Sequence, residues 1–211
     1  MRIVILSGGN PPCYELIKKE LKNCDKLISA DMGTNILYKY GINPDIILGD
    51  FDSIDKEILK HYKKENVTIE KFPEKKDFTD SYAALSKAIE LGADEIAFLG
   101  CTGSRIDHML GNIGLLLRCL QLGIKCYIRD ENNLIRLVHK PIIIEAYGYK
   151  YFSLLSYGGE VKGITLLGAK YPLKDYNLKL GESLGVSNEI IEEKATIDFK
   201  EGLLLVIQSR D

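Results

Sequence analysis

The chain has 211 residues, 45% hydrophobic and 27% charged, and 28 basic residues nearly balance 30 acidic ones for a formal charge of −2. That length buries a core without staples and spans one large domain or two small ones. The balance lacks the basic excess that nucleic acids and anionic membranes select, so the expected partner is a small molecule, with no nucleic acid and no membrane.

The opening MRIVILSGGN has one basic residue and an apolar run too short for a signal peptide, and no stretch reaches the length of a bilayer span. Cys13, Cys24, Cys101, Cys119 and Cys126 are odd in number and form no CxxC pair, which reads as thiols in a reducing, cytoplasmic setting. From the start, short apolar runs alternate with amphipathic segments: RIVILS, CYELIKKELKNC, KLISA, TNILYKYG, DIILGD, SIDKEILKHYKKEN and VTIEKF. The rhythm continues with DSYAALSKAIELGA, EIAFLG, DHMLGNIGLLLRCLQLG and KCYIR. Strand and helix periods in turn predict an α/β unit, a mostly parallel sheet with helices on both faces. Beyond LVHKP come glycine- and tyrosine-rich β runs, YKYFSLLSY, GITLLG, KATIDF and GLLLVIQS, with no convincing helix. These predict a C-terminal all-β sandwich, so the expected domains are 1–138 and 139–211.

In such sheets ligands sit beyond the carboxyl ends of the strands, and four strand-to-helix loops carry chemistry there. SADMGTN supplies Asp31, Gly33 and Asn35, which either hold a nucleotide or cap a helix. ILGDFDS ends an apolar run in Asp50 and Asp52; strand alternation would point both carboxylates to one side and Phe51 to the other. Two carboxylates about 4 Å apart at an effective dielectric near 20 repel by roughly 4 kcal/mol, so the pair calls for a hard cation such as Mg²⁺, unless Asp52 merely caps the next helix. EKKDFTD brings Lys75, Lys76, Asp77, Thr79 and Asp80 to a helix start, where free N–H groups favour phosphate; an N-cap at Asp77 or Thr79 is the plain alternative. GCTGSRIDHMLGN places Arg105 to fork a phosphate, followed by Asp107 and His108, though an Arg105–Asp107 surface pair also explains two of them. The chain has no GxxxxGK[ST] loop and no two glycines two apart, so phosphate must be held by metal, Lys and Arg.

Taken together, ADMGTN, GDFDS, KDFTD, GSRIDHMLGN and the C-terminal SNE of Ser187, Asn188 and Glu189 resemble the thiamine pyrophosphokinase (thiamine diphosphokinase) family over nearly the whole chain. The resemblance implies an α/β nucleotide-binding domain, a thiamine-binding β-sandwich and a homodimer with thiamine sites at the subunit interface. It also implies ATP and Mg²⁺, with transfer of a pyrophosphoryl group to the thiamine hydroxyl and release of AMP. By the same resemblance Asp50, Asp52 and Asp80 hold the metal, while Thr79, Arg105 and Asp107 line the phosphate and hydroxyl site, and the Ser187–Asn188 segment approaches thiamine. Catalytic roles fall to Asp107, Arg105 and Asp52, with Lys76 stabilising phosphate charge and Asp31, Gly33, Asn35 and Asp77 on the nucleotide. Two positions depart from the family's usual glycines, Met32 after Asp31 and Ser104 before Arg105. The first-domain motifs alone fit two other readings: a pyrophosphokinase of another heterocyclic alcohol, such as a hydroxymethyl pterin, and a non-catalytic nucleotide or thiamine sensor.

Overall fold

Ile3, Val4, Ile5 and Leu6 are fully buried in strand β1 (Arg2–Leu6), as a strand covered on both faces must be. A computed structural model, which describes residues 1–73 and 77–211, sets β1 in the middle of a parallel sheet. With β2 (Lys26–Ala30), β3 (Ile46–Gly49), β4 (Thr68–Lys71), β5 (Glu95–Leu99) and β6 (Lys125–Arg129), the order is β4-β3-β2-β1-β5-β6, every pair parallel. Helices α1 (Tyr14–Leu21) and α2 (Gly33–Lys39) pack their apolar side on Val4, Leu6 and Leu27. Helix α3 (Lys56–Lys64) covers Ile47 with Tyr62. On the other face α4 (Asp80–Glu90) lies against β1, β2 and β3, with α5 (Ile106–Gln121) against β6. The chain runs outward from β1 through β2, β3 and β4, then returns to start again at β5 on the other side of β1. The carboxyl ends of β1 and β5 are therefore the switch point of the sheet, where an open α/β fold leaves a crevice.

The second unit contains β7 (Asn133–Val138), β8 (Ile142–Glu145), β9 (Tyr151–Ser156), β10 (Val161–Leu167), β11 (Leu173–Leu178), β12 (Lys194–Asp198) and β13 (Leu204–Ser209). They form antiparallel sets β7-β13-β9 and β11-β10-β12-β8 that share one apolar core, including Phe152, Leu154, Ile164, Leu166, Ile197 and Val206. This is the expected sandwich, without a helix among its described residues. The compact units are Met1–Glu131 and Asn132–Asp211, so the division falls ahead of the expected one between 138 and 139. The reason is β7, which pairs with β13 from Asn133↔Ser209 to Val138↔Leu204. No helix among the described residues is long and apolar enough to cross a membrane, and all five cysteines are free thiols.

Candidate active site

Strand β3 stops at Gly49, and the chain then turns. Phe51 takes a left-handed backbone, φ +67°, and Asp52 N donates to Asp50 Oδ1 at 3.2 Å. The strand alternation expected to align Asp50 with Asp52 is thus absent; an Asx turn brings the two together. The Phe51 ring packs beside Ile47, Ile54 and Tyr62, and that burial holds the unfavourable φ in place. On the neighbouring strand Asp31 extends the ladder, its N–H donating to Leu48 O at 2.8 Å, and then turns at φ +44° into α2. One carboxylate oxygen from each of Asp31, Asp50 and Asp52 lies within 4.8 Å of the others. Asp31 Oδ1 is buried with no hydrogen-bond partner. Burial first, then the charge of Asp80, and further Asp50 and Asp52, push the Asp31 carboxyl up to about 6 against the opposing pull of the Met32 amide. The site thus gathers Asp31 with Asp50 and Asp52, two of the three carboxylates that the family resemblance implies for metal, while the third, Asp80, stands outside that close group and acts on Asp31 through its charge. An all-oxygen donor set with an unsatisfied buried acceptor suits Mg²⁺.

The supports around this cluster explain its glycine and asparagine. Gly33 opens α2 directly beneath β1, where a Cβ would stand 2.2 Å from Leu6 O. Asn35 Nδ2 donates to Ser53 O at 3.3 Å, tying α2 to the turn that carries Asp50 and Asp52. Thr79 is the N-cap of α4, its Oγ1 accepting from Tyr82 N at 3.3 Å, and Asp80 begins that helix. Lys76, with Lys75, lies outside the described residues. Arg105 and Asp107 form an exposed two-pronged pair at the start of α5, Nη2 to Oδ2 at 2.6 Å and Nε to Oδ1 at 3.2 Å. That guanidinium holds the Asp107 carboxyl down to about 2. Asp77, Asp107 and His108 line an open hollow of about 600 Å³ beside Thr79. In the second unit Ser187 sits at φ +58°, and its N–H donates to Ser153 Oγ at 3.1 Å. Asn188 is buried, and its amide is occupied by backbone: Oδ1 accepts from Tyr171 N at 3.1 Å and Glu189 N at 2.9 Å, while Nδ2 donates to Tyr171 O at 2.8 Å.

A cleft of about 450 Å³ opens at the switch point between β1 and β5. Asp31, Thr79, Asp80, Arg105 and His108 line it together with Ser7, Gly8, Gly9 and Asn10, whereas Asp50, Asp52, Asn35, Asp77 and Asp107 do not. Sequence reasoning passes over that SGGN segment, although a Gly-Gly pair directly after a buried strand marks a close approach of backbones.

Residues 17–128 match the family model described as "Thiamin pyrophosphokinase, catalytic domain", and residues 140–204 match "Thiamin pyrophosphokinase, vitamin B1 binding domain". The chain belongs to the thiamin pyrophosphokinase family. It is 36% identical over 186 residues to the thiamine pyrophosphokinase of Bacillus subtilis (strain 168), covering 87% of each chain. The fold superposes on the crystal structure of thiamine pyrophosphokinase from Bacillus subtilis with a TM-score of 0.91, at 33% identity over 100% of both chains. On the thiamin pyrophosphokinase structure from Geobacillus thermodenitrificans the TM-score is 0.87, at 31% identity over 100% of this chain and 98% of that one. The two departures from the family's usual glycines are conformationally free here. Met32 has φ −56°, and Ser104 is not among the residues with positive φ, so neither backbone requires glycine.

Proposed function

We propose that this chain transfers a pyrophosphoryl group from ATP to the hydroxyl of thiamine, releasing AMP and thiamine diphosphate. The observation that carries the reading is the cluster of Asp31, Asp50 and Asp52, with Asp80 near enough to raise Asp31, at the carboxyl edge of a sheet whose chain matches both family domains. Asp50, Asp52 and Asp80, with Asp31 beside them, would hold Mg²⁺. When bound, the ion would neutralise polyphosphate charge and make the β-phosphorus a better electrophile. Thr79 fixes the first turn of α4, where the helix N-terminus favours phosphate oxygens. Lys76 is assigned to the same charge, and Asp77 to the nucleotide.

Arg105 has a fork that a phosphate fits as well as a carboxylate does. As Arg105 turns to phosphate, Asp107 is left as an anionic acceptor for the substrate hydroxyl. Asp107 then orients that hydroxyl along the line of attack. Ser187 and Asn188 belong to the segment assigned to thiamine, Asn188 by shaping it. The proposal extends to a cytoplasmic homodimer with thiamine at the subunit interface; the five free thiols support the reducing setting.

Neither a pterin alcohol nor a non-catalytic sensor is favoured, since the second unit matches the vitamin B1 binding family and a sensor has no use for clustered metal carboxylates. The chain incubated with ATP, Mg²⁺ and thiamine should yield AMP and thiamine diphosphate in equal amounts by chromatography. Formation of neither would overturn the reading, as would turnover of a hydroxymethyl pterin in preference to thiamine.

A further inference from the structure

The loops after β1 and β5 meet through their backbones. Ser7 N donates to Leu99 O at 2.9 Å, Gly9 N to Gly100 O at 2.7 Å and Asn10 N to Thr102 O at 2.7 Å. These amides are occupied by the partner loop and cannot also cradle phosphate, as the amides of a glycine-rich phosphate loop do. Gly9 allows the contact because a Cβ there would lie 2.2 Å from Thr102 O. On this wall the amides of Ser7, Gly9 and Asn10 are therefore closed to a ligand, and side chains there gain in importance.

Thr102 lines the cleft and is 9% exposed, and its Oγ1 is closed off from water with no hydrogen-bond partner. A buried hydroxyl left unsatisfied costs folding free energy, and valine would fill the same shape without that cost. A 120° rotation about χ1 moves the hydroxyl into the position now held by the methyl or by the Cβ hydrogen with no backbone movement, so the Thr102 hydroxyl has a staggered route toward the cleft that its residue lines. Asp31, Asp50 and Asp52 follow β2 and β3, whereas Thr102 follows β5, on the far side of β1. From β3 to β5 is three strand spacings, about 14 Å. A nucleoside triphosphate with its phosphates at the carboxylates reaches that wall with its sugar.

We propose that Thr102 is a nucleotide-specificity residue whose hydroxyl hydrogen-bonds a ribose hydroxyl of the bound nucleotide. The inference rests on the reading of this cleft as the ATP site. Its test uses the full chain as wild type, Thr102→Val and Thr102→Ser, titrated calorimetrically without thiamine against Mg-ATP and its 2′-deoxy and 3′-deoxy analogues, with melting temperatures taken before nucleotide is added. Thr102→Val should weaken ATP binding by about tenfold, the equivalent of one neutral hydrogen bond. It should also bind one deoxy analogue as well as it binds ATP and melt no lower than wild type, while Thr102→Ser keeps the wild-type preference. Wild-type affinity and sugar discrimination in Thr102→Val would overturn the inference, as would a lower melting temperature with equal losses for all three nucleotides, the mark of a packing role. A wild-type chain that shows the Thr102 effect but forms no thiamine diphosphate leaves this inference standing and removes the proposed reaction. Normal turnover by a Thr102→Val chain that keeps wild-type sugar discrimination does the reverse.

Discussion

Asp31 sits at φ +44°, in a left-handed conformation that aspartate and asparagine tolerate better than bulkier residues. Its carboxyl, raised from an ordinary 3.8 to about 6 by burial and by Asp80, makes the metal-free site sensitive to pH. A raised folded-state value means that the neutral form is the favoured one, so its contribution to stability is full below about pH 4 and is lost as the pH rises through about 6. With magnesium chelated, Asp31→Asn should melt above wild type at about pH 7.5, with a gap that closes towards about pH 4. A gap independent of pH would show that the carboxyl is not the source. Asn188 illustrates a different lesson at the same scale. Sequence reasoning places it on thiamine by resemblance, but its amide fastens Tyr171 and Glu189, and its backbone exchanges two 2.8 Å hydrogen bonds with Phe152. Asn188→Ala should therefore cost about 2 kcal/mol of stability or more, because several buried backbone groups lose their partner. Ser187→Ala should leave the melting temperature near wild type and raise KM for thiamine; thermal melts and kinetics on both variants separate fastening from contact.

The elements were legible where period alone defines them. Four buried residues in succession in β1 and the 3.6-residue spacing of α5 need no tertiary information. Where a strand ends is another matter, because period-2 alternation says nothing about its last residue. Gly49 ends β3, and the positive φ of Phe51 breaks the alternation that DFD suggests. Strand β11 (Leu173–Leu178) escaped notice since LKDYNL has little apolar patterning and buries only Leu178 fully. Glycine substitutions test how element contacts position the site. Gly33→Ala drives a methyl to 2.2 Å from Leu6 O, which pushes α2 off β1 and carries Asp31 and Asn35 with it. A loss of about 2 kcal/mol, with most of the activity, is expected. Gly114, inside α5, makes the contrast, because a methyl placed there would meet nothing within 4 Å. Gly114→Ala should add about 0.5–1 kcal/mol and leave turnover unchanged. Denaturant melts and steady-state rates on both variants check the pair.

At the scale of the molecule, each unit has an apolar core of its own, one around Val4, Leu6, Ile17 and Leu37, the other around Phe152, Leu154, Ile164 and Val206. Fragments 1–131 and 132–211 should each fold cooperatively when made separately, since each retains its own apolar core. A fragment 139–211 lacks β7, leaves the ladder edge of β13 unpaired along Leu204–Ser209 and should aggregate or stay unfolded. Circular dichroism and sedimentation distinguish the two cuts; equal folding of 132–211 and 139–211 would mean that β7 is dispensable to the sandwich.

The sequence by itself determined the α/β unit followed by a β-sandwich and the sheet edge that carries the strand-to-helix loops with the motifs. Hydrophobic period and strand-to-helix order are local properties, and they force the loops after parallel strands onto one side. The motifs added the family, because ADMGTN, GDFDS, KDFTD and GSRIDHMLGN recur in that order along the chain. Tertiary structure alone decided that Asp31 joins Asp50 and Asp52, that Arg105 pairs with Asp107, and that SGGN closes on the β5 loop at Thr102. Each of those depends on which strands are neighbours and how a turn aims a side chain. The order β3-β2-β1-β5 brings together residues far apart in the chain, and neither composition nor period carries that order.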